Sequence, residues 1–164
     1  MVAIRWSDGM SVGVGRLDRD HQILIGLINR IDEAGEDETT RNRVLPEVLA
    51  ILIAYTVFHF EREEKVMRAC NYPNLGTHHE EHRTLTREVQ ELQRRYRRGD
   101  PDLGRREILT FLIGWLNHHI LLQDLDYRPY AEGSKVADEV AEAHGEFDLG
   151  TLLKFRAPEE GERA

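Results

Sequence analysis

Apolar residues recur along this chain at helical spacing. Leu17, Leu24, Leu27, Ile28 and Ile31 return every three or four positions, an amphipathic signature that predicts a first helix over about Asp18 to Ala34. Gly35 and the acidic stretch after it end that segment. A second helix is expected from about Thr40 to Ala69. Proline lacks a backbone N–H and is tolerated only in or before a first turn, so Pro46 allows a start as late as Leu45. The run from Cys70 to Asn74 is its stop. A third helix is predicted from about Leu75 to Arg97, and the turn signal Gly99-Asp100-Pro101-Asp102 separates it from a fourth over about Gly104 to Tyr127. Pro129 closes the fourth. No stretch alternates with a period of two over strand length, and the connections are short. The expected fold is all-α, an antiparallel up-down-up-down four-helix bundle.

The ends read differently. Residues 1–15 carry several glycines and a lone Trp6, which predicts an arm laid over the bundle. Residues 1–130 are expected to form the bundle with that arm, and residues 131–164 an acidic C-terminal extension. The extension has a short helical pattern over Val136 to His144 and an apolar cluster of Leu149, Leu152, Leu153 and Phe155. Docking onto the bundle and flexible tethering fit its composition equally well.

Composition narrows the function classes. The 164 residues have the size of one domain, able to bury a core without disulfides. The single cysteine, Cys70, excludes an internal disulfide and reads as an inert thiol in a reducing compartment. The start MVAIRWSDGM lacks the apolar stretch of a signal peptide, and no apolar run approaches the ~20 residues needed to cross a bilayer. A cytoplasmic protein without a membrane role is expected. The formal charge of −8 argues against a nucleic-acid partner, because phosphate binding needs positive charge that carboxylates do not outweigh. Only Arg94 to Arg98 is locally basic, and basic residues near a helix C-terminus complement its dipole.

The informative chemistry lies in the histidines, of which there are eight. On a helix, residues four apart share a face, so His59 with Glu63 and His78 with His82 can each point at one site. Counting outward from the turns strengthens this, because equal distances along neighbouring antiparallel helices mean equal height at about 1.5 Å per residue. From the turn near Tyr72, Glu63 lies about nine residues back and His78 about six on, a difference of roughly 5 Å. His59 and His82 match similarly. From the turn near Asp100, His82 and His119 lie about eighteen and nineteen residues away, and His78 and Asp124 about twenty-two and twenty-four, so these four share a level within roughly one turn. His21 joins them more loosely from the first helix. Buried imidazoles and carboxylates meeting in a bundle interior would carry a large desolvation cost unless metal ions satisfied them. His79, His118 and His144 lack the alignment and read as surface residues.

One spacing is awkward. His119 and Asp124 stand five residues apart, which turns the second about 140° away from the first on a regular helix. A locally wide turn such as a π-bulge, or a fraying helix end, is required to bring Asp124 round. Near the same level, Ile25, Tyr55 and Trp115 each fall one turn from a histidine and can line the cavity, or serve as core packing.

With these residues in view, the chain resembles the bacterial hemerythrins. The matching pieces are LDRDHQ around His21, HFEREEKVM from His59, YPNLGTHHEEH from Tyr72 and WLNHHILLQD from Trp115. The resemblance implies that His78, His82 and His119 hold one iron ion and His21 and His59 the other. Glu63 and Asp124 would bridge both, with a bridging oxo or hydroxo oxygen. The iron with two histidines then keeps an open position for dioxygen. Leu116 and Ile120 join the oxygen pocket by the same resemblance. Imidazole suits iron, zinc and copper alike, so the choice of iron (Fe2+/Fe3+) rests on the resemblance. The implied function is reversible dioxygen binding, for storage, delivery or buffering, and not an enzyme. An oxygen or redox sensor that engages a protein partner through the C-terminal tail, or a diiron oxidase or peroxidase, are the competing readings.

Overall fold

A computed structural model describes residues 4–35 and 37–148. All regular structure among the described residues is helical: α1 Gly15–Glu33, α2 Glu38–Ala69, α3 Leu75–Arg97, α4 Arg105–His118, α5 Arg128–Ala131 and α6 Lys135–Ala143. A π-turn at His119–Gln123 and a 3-10 turn at Asp124–Asp126 join α4 to α5. The four long helices form the bundle: α1 packs on α2 and α4, and α2 and α4 each pack on α3.

Local chemistry explains most of the boundaries. The Asp37 side chain accepts from the Thr40 N–H at 2.7 Å and caps α2. That helix starts at Glu38 and runs through Pro46, which therefore lies in its interior and not in its first turn. Proline forfeits one backbone hydrogen bond there, but Leu45, Val48 and Leu49 on either side are buried in the core and hold the helix in place. Asn71 closes α2 in the left-handed conformation, and the Tyr72 N–H reaches back to the Met67 carbonyl at 2.9 Å. The fourth helix is shorter than its pattern predicts, because regular α-helix gives way to the π-turn at His119.

By length and composition α2 could cross a bilayer, contrary to the expectation that nothing approaches that span; half of its apolar window is buried inside the fold. That buried half, which includes Leu45, Leu49, Leu52 and Tyr55, belongs to the core. Together with α1, α3 and α4 it forms a large cluster that includes Leu24, Ile28, Leu52, Leu85, Val89, Leu112 and Leu116. A second, smaller cluster holds Val12, Val14, Leu17, Val66, Met67, Tyr127, Ala137 and Ala141.

The N-terminal arm is tied down. Ile4 and Asn29 exchange two hydrogen bonds at 2.9 Å, and Asp18 accepts from the Ser11 hydroxyl at 2.6 Å and the Val12 N–H at 2.8 Å. A short 3-10 turn at Asp8–Met10 puts Met10 into the large cluster, with Trp6 half-buried against it. Gly13 has a φ of 76°, and a Cβ there would stand 2.6 Å from Glu132 Cβ, so only glycine lets the arm cross at this point.

The extension docks as far as it is described. Ser134 caps α6, and Ala137 and Ala141 are fully buried in the second cluster, where their small side chains let α6 lie close on α2. The apolar cluster of Leu149, Leu152, Leu153 and Phe155 lies outside the described residues.

Candidate metal centre

Between the two apolar clusters lies one polar layer. Helix α1 supplies His21, α2 supplies His59 and Glu63, α3 supplies His78 and His82, and the π-turn and the residue after it supply His119 and Asp124. All of these side chains are buried. The layer falls where the apolar repeat skips: on α1, His21 sits between Leu17 of the small cluster and Leu24 of the large one.

The donor atoms face one another. His82 Nε2 lies 3.0 Å from Glu63 Oε2, and His59 and His119 Nε2 lie 3.6 and 3.5 Å from the same oxygen. Around Asp124, His21 Nε2 and His119 Nε2 stand 3.1 and 3.2 Å from Oδ2, and His78 Nε2 stands 3.3 Å from Oδ1. Two overlapping donor sets result. His21, His59, Glu63, His119 and Asp124 form one, and His78, His82, His119 and Asp124 the other, each with its ligand atoms within 4.8 Å of one another.

The π-turn makes this possible. A regular helix would swing Asp124 about 140° from His119, whereas the wider turn brings its carboxylate inward to full burial. π-turns inside helices are frequent at functional sites.

Hydrogen bonding separates an inner face from an outer one. The Nε2 atoms of His21, His59, His78, His82 and His119, with Glu63 Oε2 and both Asp124 oxygens, are buried and find no hydrogen-bond partner. Three of the five second nitrogens are held, His82 Nδ1 by Glu64 at 2.8 Å, His59 Nδ1 by Asp20 at 3.2 Å and His119 Nδ1 by Gln123 at 3.3 Å, whereas His21 Nδ1 is buried without a partner. Leaving such a group unsatisfied costs about 1–3 kcal/mol apiece. A cluster of orphaned imidazole and carboxylate atoms, braced from behind, is the donor arrangement of a metal centre.

Residues 12–131 match the family profile described as the hemerythrin HHE cation-binding domain. The chain belongs to the hemerythrin family.

It is 32% identical over 124 residues to the bacteriohemerythrin of Ralstonia nicotianae, an alignment covering 76% of this chain and 85% of that one. It is 27% identical over 124 residues to the bacteriohemerythrin of Clostridium acetobutylicum, covering 74% and 96%. The crystal structure of wild-type hemerythrin superposes with a TM-score of 0.68 at 26% identity, covering 79% of this chain and 98% of that one. A hemerythrin point mutant gives 0.70 at 26% identity, covering 81% and 100%. The buried His/Glu/Asp cluster thus sits in a hemerythrin four-helix bundle.

Charge in the hemerythrin centre is set by mutual compensation. Burial alone would push the Glu63 carboxyl up, yet His59, His119, His78 and His82 hold it well below the usual carboxylate range. Burial and the Glu63 charge raise Asp124, and His119, His21 and His78 outweigh them, bringing it down to about 2. Burial lowers His78, but its contacts with Asp124 and Glu63 lift it to about 10.

Several contributors are invisible to pattern reading. Tyr127, fully buried, donates its hydroxyl to Glu63 Oε1. The Phe60 ring stacks on His82 at 3.8 Å with 4° between the planes. Asp20, Arg62 and Glu64 flank proposed ligands directly in sequence; charged residues ordinarily face solvent, but Asp20 and Arg62 are buried and Glu64 reaches across to α3. Their adjacency to His21 and Glu63 was the only available signal.

The pocket candidates Ile25, Tyr55, Trp115, Leu116 and Ile120 are all buried in the large cluster. Tyr55 is committed elsewhere through its hydroxyl, which donates to Asp20 at 2.6 Å, and Trp115 Nε1 donates to the Leu85 carbonyl at 3.1 Å. His79 and His118 are exposed, as expected. His144 corrects the surface reading: it is half-buried, with Nε2 on the Phe58 carbonyl at 3.1 Å and Nδ1 on Lys65 at 3.0 Å, because the docked extension brings it onto α2.

Proposed function

We propose that this hemerythrin domain binds dioxygen reversibly at a non-haem diiron centre, as a cytoplasmic protein for storage, delivery or buffering rather than as an enzyme. The observation that carries this reading is the inner face of buried imidazole and carboxylate atoms without hydrogen-bond partners. His78, His82 and His119 would hold one iron, His21 and His59 the other, and Glu63 and Asp124 would serve both. When bound, such an iron pair would supply the electrons and the Lewis acidity for binding a diatomic ligand.

The chain's own residues supply the rest. Glu64, Asp20 and Gln123 orient the imidazoles by holding their outer nitrogens. Tyr127 fixes Glu63 from behind. Ile25, Trp115, Leu116 and Ile120 form an apolar wall that excludes water and so discourages proton leakage into the site. A second reading, an oxygen or redox sensor that signals through the C-terminal tail, is favoured by the docking of α6 and the residues after it on α2.

The test is anaerobic reduction of the iron-loaded protein, then oxygen exposure and removal, followed by absorbance. A spectrum that appears and disappears with oxygen is expected, and immediate irreversible oxidation would sink the carrier reading. His59→Ala should lower iron content or abolish oxygen binding; a variant normal in both would remove His59 from the site.

A further inference from the structure

A metal-binding histidine is only as well placed as the group that holds its other nitrogen. For His82 and His119 that group is a single side chain, Glu64 or Gln123. For His59 it is the first member of a buried chain of contacts. Asp20, 2% exposed, faces His59 Nδ1 at 3.2 Å and accepts from the Tyr55 hydroxyl at 2.6 Å and from Arg62 Nη1 at 2.6 and 2.7 Å. A carboxylate that accepts from arginine and tyrosine is ionised, so it also accepts from His59, which leaves the His59 Nε2 lone pair turned toward the cluster.

Arg62, also 2% exposed, does not end the chain of contacts. Its Nη2 donates to the Gly145 carbonyl, and its guanidinium lies 4.8 Å over the Phe58 ring. Gly145 belongs to the stretch after α6, beyond residues 12–131 that match the family. That stretch packs against Arg62, Phe58 and Tyr55. The His144 ring lies 4.5 Å from Phe58 and its Nε2 donates to the Phe58 carbonyl. The Phe147 ring lies 5.2 Å from Tyr55 and 5.3 Å from Phe58. Glu146 accepts from Arg16 at 2.8 Å. Both donors that hold Asp20, Tyr55 and Arg62, are therefore backed by residues 144–147.

A buried ion pair holds its geometry better the more of its donors and acceptors are satisfied and the less water reaches it. Without the Gly145 carbonyl and the Phe147 ring, Arg62 and Tyr55 face solvent, and Asp20 gains freedom to turn from His59.

We infer that residues 144–147 of the C-terminal extension are a positioning element of the metal centre, acting through Arg62 and Asp20 to hold His59 with its Nδ1–H on Asp20 and Nε2 toward the metal. The inference deepens the proposed function and rests on its metal-centre reading.

The test uses the full chain loaded with zinc, a diamagnetic stand-in, and compares it with the double variant His144→Ala/Phe147→Ala, which alters none of the proposed ligands. Two quantities are read: the protonated nitrogen of His59 by long-range 1H–15N correlation, and the rate of zinc release to excess chelator. The parent is expected to show the Nδ1–H form. The variant should keep parental helicity and zinc stoichiometry, lose the single His59 form, and release zinc about ten-fold faster or more. Phe147→Leu, which keeps the apolar cover, should behave as the parent. If the double variant does not fold, Phe147→Ala alone reads the same two quantities. A folded variant with unchanged His59 signal and release within about two-fold of the parent overturns the inference while the metal reading stands. A parent that binds neither zinc nor iron overturns the metal reading and the inference with it.

Discussion

Tyr127 shows how much one side chain away from the proposed ligands can decide. Its hydroxyl is the donor to Glu63 Oε1 in a site closed to water, and burial together with the Glu63 and Asp124 charges raises its own pKa well above the ordinary tyrosine value, so it stays a donor. Tyr127→Phe keeps the ring packing and deletes the donor. The expected result is a metal-free protein less stable by about 1–3 kcal/mol in denaturant unfolding, with metal affinity lowered about ten-fold or more. Unchanged values for both would mean that the contact does not position Glu63. The same logic applies across the layer: the histidines were legible because their spacing repeats, whereas Tyr127, Asp20 and Arg62 were not, because an isolated polar residue beside a ligand looks the same in sequence whether it points in or out.

Among the elements, the π-turn at His119–Gln123 has the clearest consequence. The five-residue spacing of His119 and Asp124 already demanded a wide turn, since regular helix would aim the carboxylate away from the site. Leu121 and Leu122, on the outer side of that turn, are exposed. Deleting Leu122 would restore a spacing of four, which a regular α-helix places on one face. The deletion variant is expected to bind metal with near-parental stoichiometry. Inserting an alanine after Leu122 instead would turn Asp124 by about a further 100° and should lose metal while far-UV circular dichroism stays helical. Equal metal content in the insertion variant would show that Asp124 does not need this geometry. Pro46 marks the opposite case, where a local rule misplaced a boundary: tertiary burial of Leu45, Val48 and Leu49 carries α2 through a residue that would break an isolated helix.

For the whole molecule, His78 makes stability and metal binding respond oppositely to protons between pH 6.5 and about 10. His78 is raised from 6.5 to about 10 in the folded metal-free protein, so its contribution is complete below pH 6.5 and lost as pH rises through 10. Asp124 is lowered from 3.8 to about 2, so its contribution is complete above pH 3.8 and lost as pH falls through 2. Thermal unfolding in the presence of chelator should therefore be most stable between those limits and weaken on both sides. Metal requires His78 without its proton, so uptake at pH 7 must expel it. Titrating zinc into lightly buffered metal-free protein should acidify the solution, and this component should vanish near pH 10 and above. Uptake without proton release at pH 7 would contradict the protonated state of His78.

Helical periodicity, turn residues and the spacing of histidines along each helix were enough to specify a four-helix bundle and the level at which His21, His59, Glu63, His78, His82, His119 and Asp124 meet, because those features are properties of local backbone geometry. Only tertiary packing decided which polar atoms are left facing one another, which are braced from behind by Tyr127, Glu64 and Asp20, and that residues 144–147 lie against Arg62. Those outcomes depend on contacts between residues far apart in the chain, where burial and electrostatics act through distances in space and leave no period in the sequence.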